Sequence, residues 1–355
     1  MYSRKAGEDQ AREHLEAFWN GSSLGRPALH LLALDPQHRP DPFPVGGVDR
    51  TALDFDPAFY RHTARDILKG GIFLAEAFPF VSVDPGNSLV LTAMAAGGRY
   101  RRNGSDAWLE KQPGILDQQP PKAASASVLR VYAACVEAAA KGAGGMGFVT
   151  PSCLIDPITT LSQMAGSEEM SIALCDRPAK VKAWIDALTD IWLELLRTCV
   201  AASGAKDSAV FWGPTTPGTA TCLQCDYAVM ISPDMFDEFV LPALMRMAEP
   251  MTRTLYHLDG TVQMRFLDRL MQIPKCKGIQ WNPETDFGLP TRHLAALEEI
   301  RSRGLSLFLI VDTLEEAVET VRALGPDGLF IKFRGIFQTR KEAEAVLREL
   351  ELASR

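Results

Sequence analysis

With 355 residues, 46% of them apolar and 23% charged, this chain has the material for a single large domain, residues 1–355, around a well-buried core. A net charge of −7 lacks the basic face that a phosphate backbone demands, which excludes nucleic acid as the expected partner. The seven cysteines are odd in number and set mostly among apolar residues, and no run matches a membrane span or a signal core, so a protein of the reducing cytoplasm, away from any membrane, is expected.

In chain order, residues 8–19 read as a helix with Leu15, Phe18 and Trp19 on one face, stopped by Asn20-Gly21. Residues 27–34 read as a first strand. Asp56-Pro57 then supplies an N-cap and a first-turn proline for a helix to about residue 70. A second strand is expected at 78–83. The polar stretch 97–119, with turns at Asn103-Gly104 and Pro113-Gly114, reads as a hairpin excursion that would serve as a lid. A helix at 124–141, a strand at 146–150 and helices at 157–165 and 178–203 follow. From residue 208 the pattern is regular: strands at 209–212, 221–226, 253–258, 278–281, 306–311 and 329–332 alternate with helices at 233–249, 261–272, 291–303, 314–324 and 340–351. Such alternation implies a parallel sheet covered by helices, and the number of units favours a closed (β/α)8 TIM barrel with an N-terminal helical extension. No glycine-rich phosphate loop follows any strand.

In a barrel of this kind the chemistry gathers at the C-terminal ends of the strands. His257 and Asp259 stand two residues apart at such an end, just before Gly260, so their side chains share a face suited to a divalent metal or to a base held by a carboxylate. The bland alternative is a helix cap and a core histidine. Gln224, Cys225 and Asp226 end another strand, where Cys225 would be a soft metal ligand and Asp226 an acid, base or hard ligand. Cys222, three residues back, faces the other way and reads as core. Gln280, Trp281 and Asn282 end the next strand and suit a flat polar ligand, with Trp212 as a further wall. Lys332 and Arg334 end the last strand and would hold a substrate carboxylate or phosphate, or form a rim salt bridge. Asp312 reads as an N-cap with Glu315 behind it. Arg99, Tyr100, Arg101 and Arg102 read as a solvated basic face or a substrate clamp.

Tyr256-His-Leu-Asp-Gly260 with Ile279-Gln-Trp281, Leu223-Gln-Cys-Asp-Tyr227 and Ile231-Ser-Pro-Asp-Met-Phe-Asp-Glu-Phe-Val-Leu-Pro242 resembles the uroporphyrinogen decarboxylase superfamily, most of all its corrinoid-dependent methyltransferase branch. The resemblance implies a (β/α)8 barrel with its cleft at the strands' C-terminal ends. Two departures limit what else it implies. The Arg-Gln-Ala-Gly-Arg motif that holds the acidic side chains of uroporphyrinogen has no counterpart in residues 20–70, which argues against a tetrapyrrole decarboxylase. The thiol-directed methyltransferases hold zinc through His-x-Cys and a later cysteine; here the pair is His257-x-Asp259, and no cysteine follows Cys276.

The expected function is therefore methyl transfer between a corrinoid, carried by a partner protein, and a small-molecule or folate acceptor. His257, Asp259 and Cys225 would bind zinc, or, without a metal, His257, Asp259 and Asp226 would manage protons on an acceptor such as tetrahydrofolate. Two readings compete: a decarboxylase or other lyase acting on a carboxylic acid, and a non-catalytic barrel that binds a corrinoid or a partner. A homodimer through an exposed apolar helix face is left open.

Overall fold

The computed structural model describes residues 1–44, 50–103, 106–283 and 290–355. Eight strands form the barrel: β1 (Ala28–Leu34), β2 (Phe80–Ser82), β3 (Phe148–Thr150), β4 (Leu223–Gln224), β5 (Thr254–Asp259), β6 (Cys276–Asn282), β7 (Ser306–Val311) and β8 (Leu329–Phe333). β4, β5, β6, β7, β8 and β1 are hydrogen-bonded in that order, every pair parallel, and β2 pairs in parallel with β3. Side chains bridge the gap between β3 and β4, where Thr221 Oγ1 donates to the Ser152 carbonyl at 2.8 Å and Gln224 Nε2 to that of Leu154 at 3.1 Å. At the other gap the Phe80 ring lies 6.3 Å from that of His30.

The alternation of each strand sorts its side chains into two apolar layers. Leu29, Leu31, Ile279, Leu307, Leu309 and Ile331 face outward and pack under the helices, among them Pro57–Gly70, Ala126–Ala143, Pro178–Ser203, Leu314–Leu324 and Arg340–Ala353. Ala28, Phe148, Cys222, Leu255, Phe308 and Phe330 face inward and share a separate core with Leu15, Phe18 and Trp19 of the first helix, Glu8–Trp19. The expected N-terminal extension is thus the floor of the barrel. Phe18 packs on Phe330 with ring centroids 5.5 Å apart, its carbonyl accepts from Ser306 Oγ at 2.6 Å, and Trp19 Nε1 donates to Thr215 at 3.0 Å.

Several elements depart from the sequence expectation. Gly71–Ala75 runs antiparallel to β1 and follows a helix directly at the Gly70-Gly71 pair. Helix Ser167–Asp176 is additional. Residues 209–212 are not a barrel strand: Asp207–Ala209 pairs antiparallel with Thr215–Pro217, and Phe211 and Trp212 sit in the left-handed region at φ 49° and 53°. The tip of this hairpin enters the barrel, where a Cβ on Gly213 would stand 2.6 Å from the Phe308 ring. The excursion is a hairpin of Tyr100–Asn103 with Asp106–Leu109; its tip at 104–105, which includes the expected Asn103-Gly104 turn, lies outside the described residues. Tyr100 and Arg102 fasten it to buried Asp54, and Arg99 pairs with Glu110, so three of the four expected clamp residues hold the hairpin itself. No helix among the described residues is long and apolar enough to cross a membrane.

Candidate active site at the barrel mouth

Register places the inward side chains in rows. One row runs Gln224, His257, Gln280, Phe308, Phe330, Ala28, each directly paired with the next. Phe308 and Phe330 in this row lie above the Phe18 floor. One step nearer the mouth, Asp259 pairs with Asn282, and Ile310, Lys332 and His30 line up across β7, β8 and β1. Asp226 opens the short turn that follows β4.

Asp226, His257 and Asp259 converge. One ligand atom from each lies within 4.8 Å of the others, the one such group suited to a metal ion among the described residues. His257 is held on three sides: its Nδ1 meets the Gln280 amide oxygen, one face stacks on Phe211 at 4.4 Å between centroids, and its backbone is clamped between β4 and β6. A carbonyl oxygen only accepts, so Nδ1 carries a proton and Nε2 is the ring atom left to meet a ligand. Asn282 Nδ2 donates to Asp259 Oδ1 and fixes that carboxylate. Burial pushes the Asp226 carboxyl up to about 6, Asp156 and Asp259 raising it further and His257 opposing them. Asp156, fully buried, is also pushed up to about 6 by burial, against hydrogen bonds from Thr159, and caps the helix Pro157–Ala165.

Some expected site residues occupy other roles. Cys225 is not in the group: it is fully buried among the outward-facing apolar residues, and burial, followed by Asp156 and Asp226, keeps its thiol protonated. Adjacent residues at a strand end point opposite ways, so Asp226 reaches the mouth and Cys225 does not. Trp281 is likewise outward, packed in the helix-side core near His293, and forms no wall of the mouth. Gln280 is fully buried with its oxygen on His257 and its nitrogen on the Trp281 carbonyl at 2.8 Å, which makes it a positioning residue. Gln224 spends its amide on Leu154. Asp312 is not the cap: Thr313 accepts from Glu316, and Asp312 pairs with Arg334 at 2.8 Å on the exposed rim, where such a pair is worth little. Trp212 and Lys332 do meet, the Nζ donating to the Trp212 carbonyl at 2.7 Å. His30, Asp156 and Phe211 were not singled out from sequence. Strand alternation implicates His30 and the Asp156-Pro157 pair marks a cap, but nothing local announces the turn that lays Phe211 on His257.

Known proteins agree with this architecture. The uroporphyrinogen decarboxylase (URO-D) family model matches residues 118–300. The solved structure of a methyltransferase from Methanosarcina mazei superposes with a TM-score of 0.59 at 13% sequence identity, covering 97% of this chain and 98% of that one. No curated protein matches the chain. A family match across more than half of the sequence, on an eight-stranded barrel with its polar cluster at the strands' C-terminal ends, establishes that the chain belongs to the uroporphyrinogen decarboxylase family.

Proposed function

We propose that this barrel is a methyltransferase that moves a methyl group between a corrinoid carried by a partner protein and a small-molecule acceptor seated at the mouth. The observation that carries the reading is the convergence of Asp226, His257 and Asp259. The family and the fold shared with a methyltransferase support it.

The three side chains fit a divalent metal such as zinc. They offer one imidazole nitrogen and two carboxylate oxygens, and Gln280 and Asn282 orient the imidazole and one carboxylate from behind, as outer partners do at metal centres. Bound there, a divalent cation supplies a Lewis acid that lets the acceptor react as its anion. The protein's own contribution is placement: Phe211 covers one face of His257, and the inward rows leave the acceptor one direction of approach, from the open end. Without a metal, Asp226 takes the acceptor's proton as the new bond to the methyl group forms, a role in reach of a carboxyl poised at about 6 and suited to a folate nitrogen.

The same poised carboxyl favours one second reading, a carboxy-lyase in which Asp226 handles the proton that replaces carbon dioxide. Metal content separates the two. Protein purified without added metal or chelator should carry about one divalent cation per chain in the wild type and in Cys225→Ala, and none in Asp259→Ala. Asp259→Ala should also lose methyl transfer from methylcobalamin, followed by its visible spectrum, while keeping its fold. Full transfer by metal-free wild type would remove the metal from the reading, and corrinoid-free release of carbon dioxide from an organic acid would replace methyl transfer altogether.

A further inference from the structure

The mouth of the barrel is divided in two. Phe211 and Trp212, successive residues in left-handed conformation, stand across it, Phe211 stacked on His257 and Trp212 turned toward β1 and β8. Non-glycine residues hold such angles at a cost of about 1–3 kcal/mol each, which surrounding contacts must impose. Here Gly213 packs on Phe308, and Lys332 grips the Trp212 carbonyl. On the Trp212 side lies a cavity of about 270 Å³, walled by Phe73, Phe78, Phe80, Trp212 and Phe333 and opening past the exposed side chains of Ile67 and Ile336.

Two of the basic groups in that cavity, Lys332 and His30, lack an acid. Lys332 is largely buried, its one hydrogen bond goes to a backbone carbonyl, and no carboxylate among the described residues pairs with it. His30, its direct neighbour across the β1–β8 ladder, is buried and makes no side-chain hydrogen bond with another described side chain. Burial and then the Lys332 charge hold the His30 imidazole well below its ordinary value, so it is neutral at pH 7. Arg334, the remaining base at the rim, is already paired with Asp312. A buried ammonium ordinarily sits against a carboxylate. Here two of its three N–H bonds have no partner among the described residues, and an anion in the cavity would supply the missing negative charge. A single ammonium beside a neutral imidazole matches one negative charge, and aromatic walls match a flat ring.

We propose that this cavity is the substrate subsite for an organic monoanion with a planar ring, its carboxylate accepting from Lys332 Nζ and its ring lying between Phe80 and Trp212. The Trp212 indole is then the partition past which the far end of the ligand approaches His257. That the ligand is the methyl donor or acceptor rests on the methyltransferase reading; that the cavity takes an aromatic carboxylate does not.

Calorimetric titration with benzoate and with its neutral isostere benzamide tests the subsite at about pH 7. Wild type should bind benzoate saturably and at least tenfold more tightly than benzamide, and Lys332→Met should erase that preference. Above about pH 8, where Lys332 loses its proton, benzoate binding by wild type should weaken about tenfold per pH unit, a readout that stands even if the variant does not fold. Equal binding of the two ligands, no saturable benzoate binding, or a preference kept in folded Lys332→Met would each overturn the subsite. Asp259→Ala should retain the benzoate preference, so failure of methyl transfer and failure of the subsite are told apart.

Discussion

Asp226 and Lys332 are charges held where the fold would be better without them, and their titration makes that measurable. The Asp226 carboxyl moves from an ordinary 3.8 to about 6, chiefly through burial. Between those values the native state has taken up a proton that the unfolded chain has released, so stability falls as pH rises through the window, and above about 6 the penalty is complete. Asp226→Asn in metal-free protein should therefore be more stable than wild type above about pH 6, by roughly 1–3 kcal/mol, with no gain below about pH 4. Denaturant unfolding across that range checks it, and equal stability at pH 7.5 would mean the carboxylate is not strained. For Lys332, burial and then Arg334 lower the amine from 10.5 to about 8. The native state sheds its proton first, so the penalty is full below about 8 and relieved as pH rises toward 10.5. Lys332→Met should raise stability at pH 7 by about 1–3 kcal/mol and lose that advantage in alkali. Two stabilising substitutions at the polar end of a barrel are what a site kept for its chemistry produces. At this scale sequence locates His257, Asp259 and Asp226, because a two-residue step on a strand conserves direction and a strand's end marks the mouth. It misplaces Cys225 and Trp281, for which the one-residue step that flips a side chain across the sheet had to be known.

Among the elements, the hairpin of Asp207–Ala209 and Thr215–Pro217 is the least legible and the most consequential. Its sequence, apolar and then glycine-proline, reads as a strand with a turn, and only the left-handed angles of Phe211 and Trp212 convert it into an insertion in the barrel mouth. Gly213→Ala places a methyl group against the Phe308 ring, and overpacking there should cost about 1–3 kcal/mol and lift Phe211 off His257. Near-UV circular dichroism reports the ring movement; an unchanged spectrum and unchanged stability would mean the tip adapts freely. The helix Glu8–Trp19, in contrast, is legible to the residue, from its apolar face to its Asn20-Gly21 stop, although nothing in its periodicity says that the face would seal a barrel. Phe18→Ala opens that floor and should cost about 3–5 kcal/mol by thermal or chemical unfolding. A cost under about 1 kcal/mol would place the floor elsewhere.

For the whole molecule, alternation from residue 221 onward is what makes the barrel readable, whereas the strand expected at 209–212 is a hairpin tip. Before that point β2 and β3 are three residues each, inside the stretches 78–83 and 146–150 that the sequence marks as strands. If Asp226, His257 and Asp259 take up a divalent cation, metal-free protein should gain thermal stability on adding zinc at about pH 7.5, and the gain should shrink as pH falls through about 6 and Asp226 takes a proton instead. A gain that persists at pH 4.5 would put the metal elsewhere. The floor has one more consequence, in time rather than in energy. Ser306 grips the Phe18 carbonyl across 288 positions of sequence, and the edge of β1 stays bare on that side until β8 exists. A ribosome adding about 5–20 residues per second leaves that edge and the apolar face of the first helix waiting on the order of fifteen seconds or more. The nascent chain therefore has to be shielded through most of its own synthesis, and the barrel closes as nearly its last act.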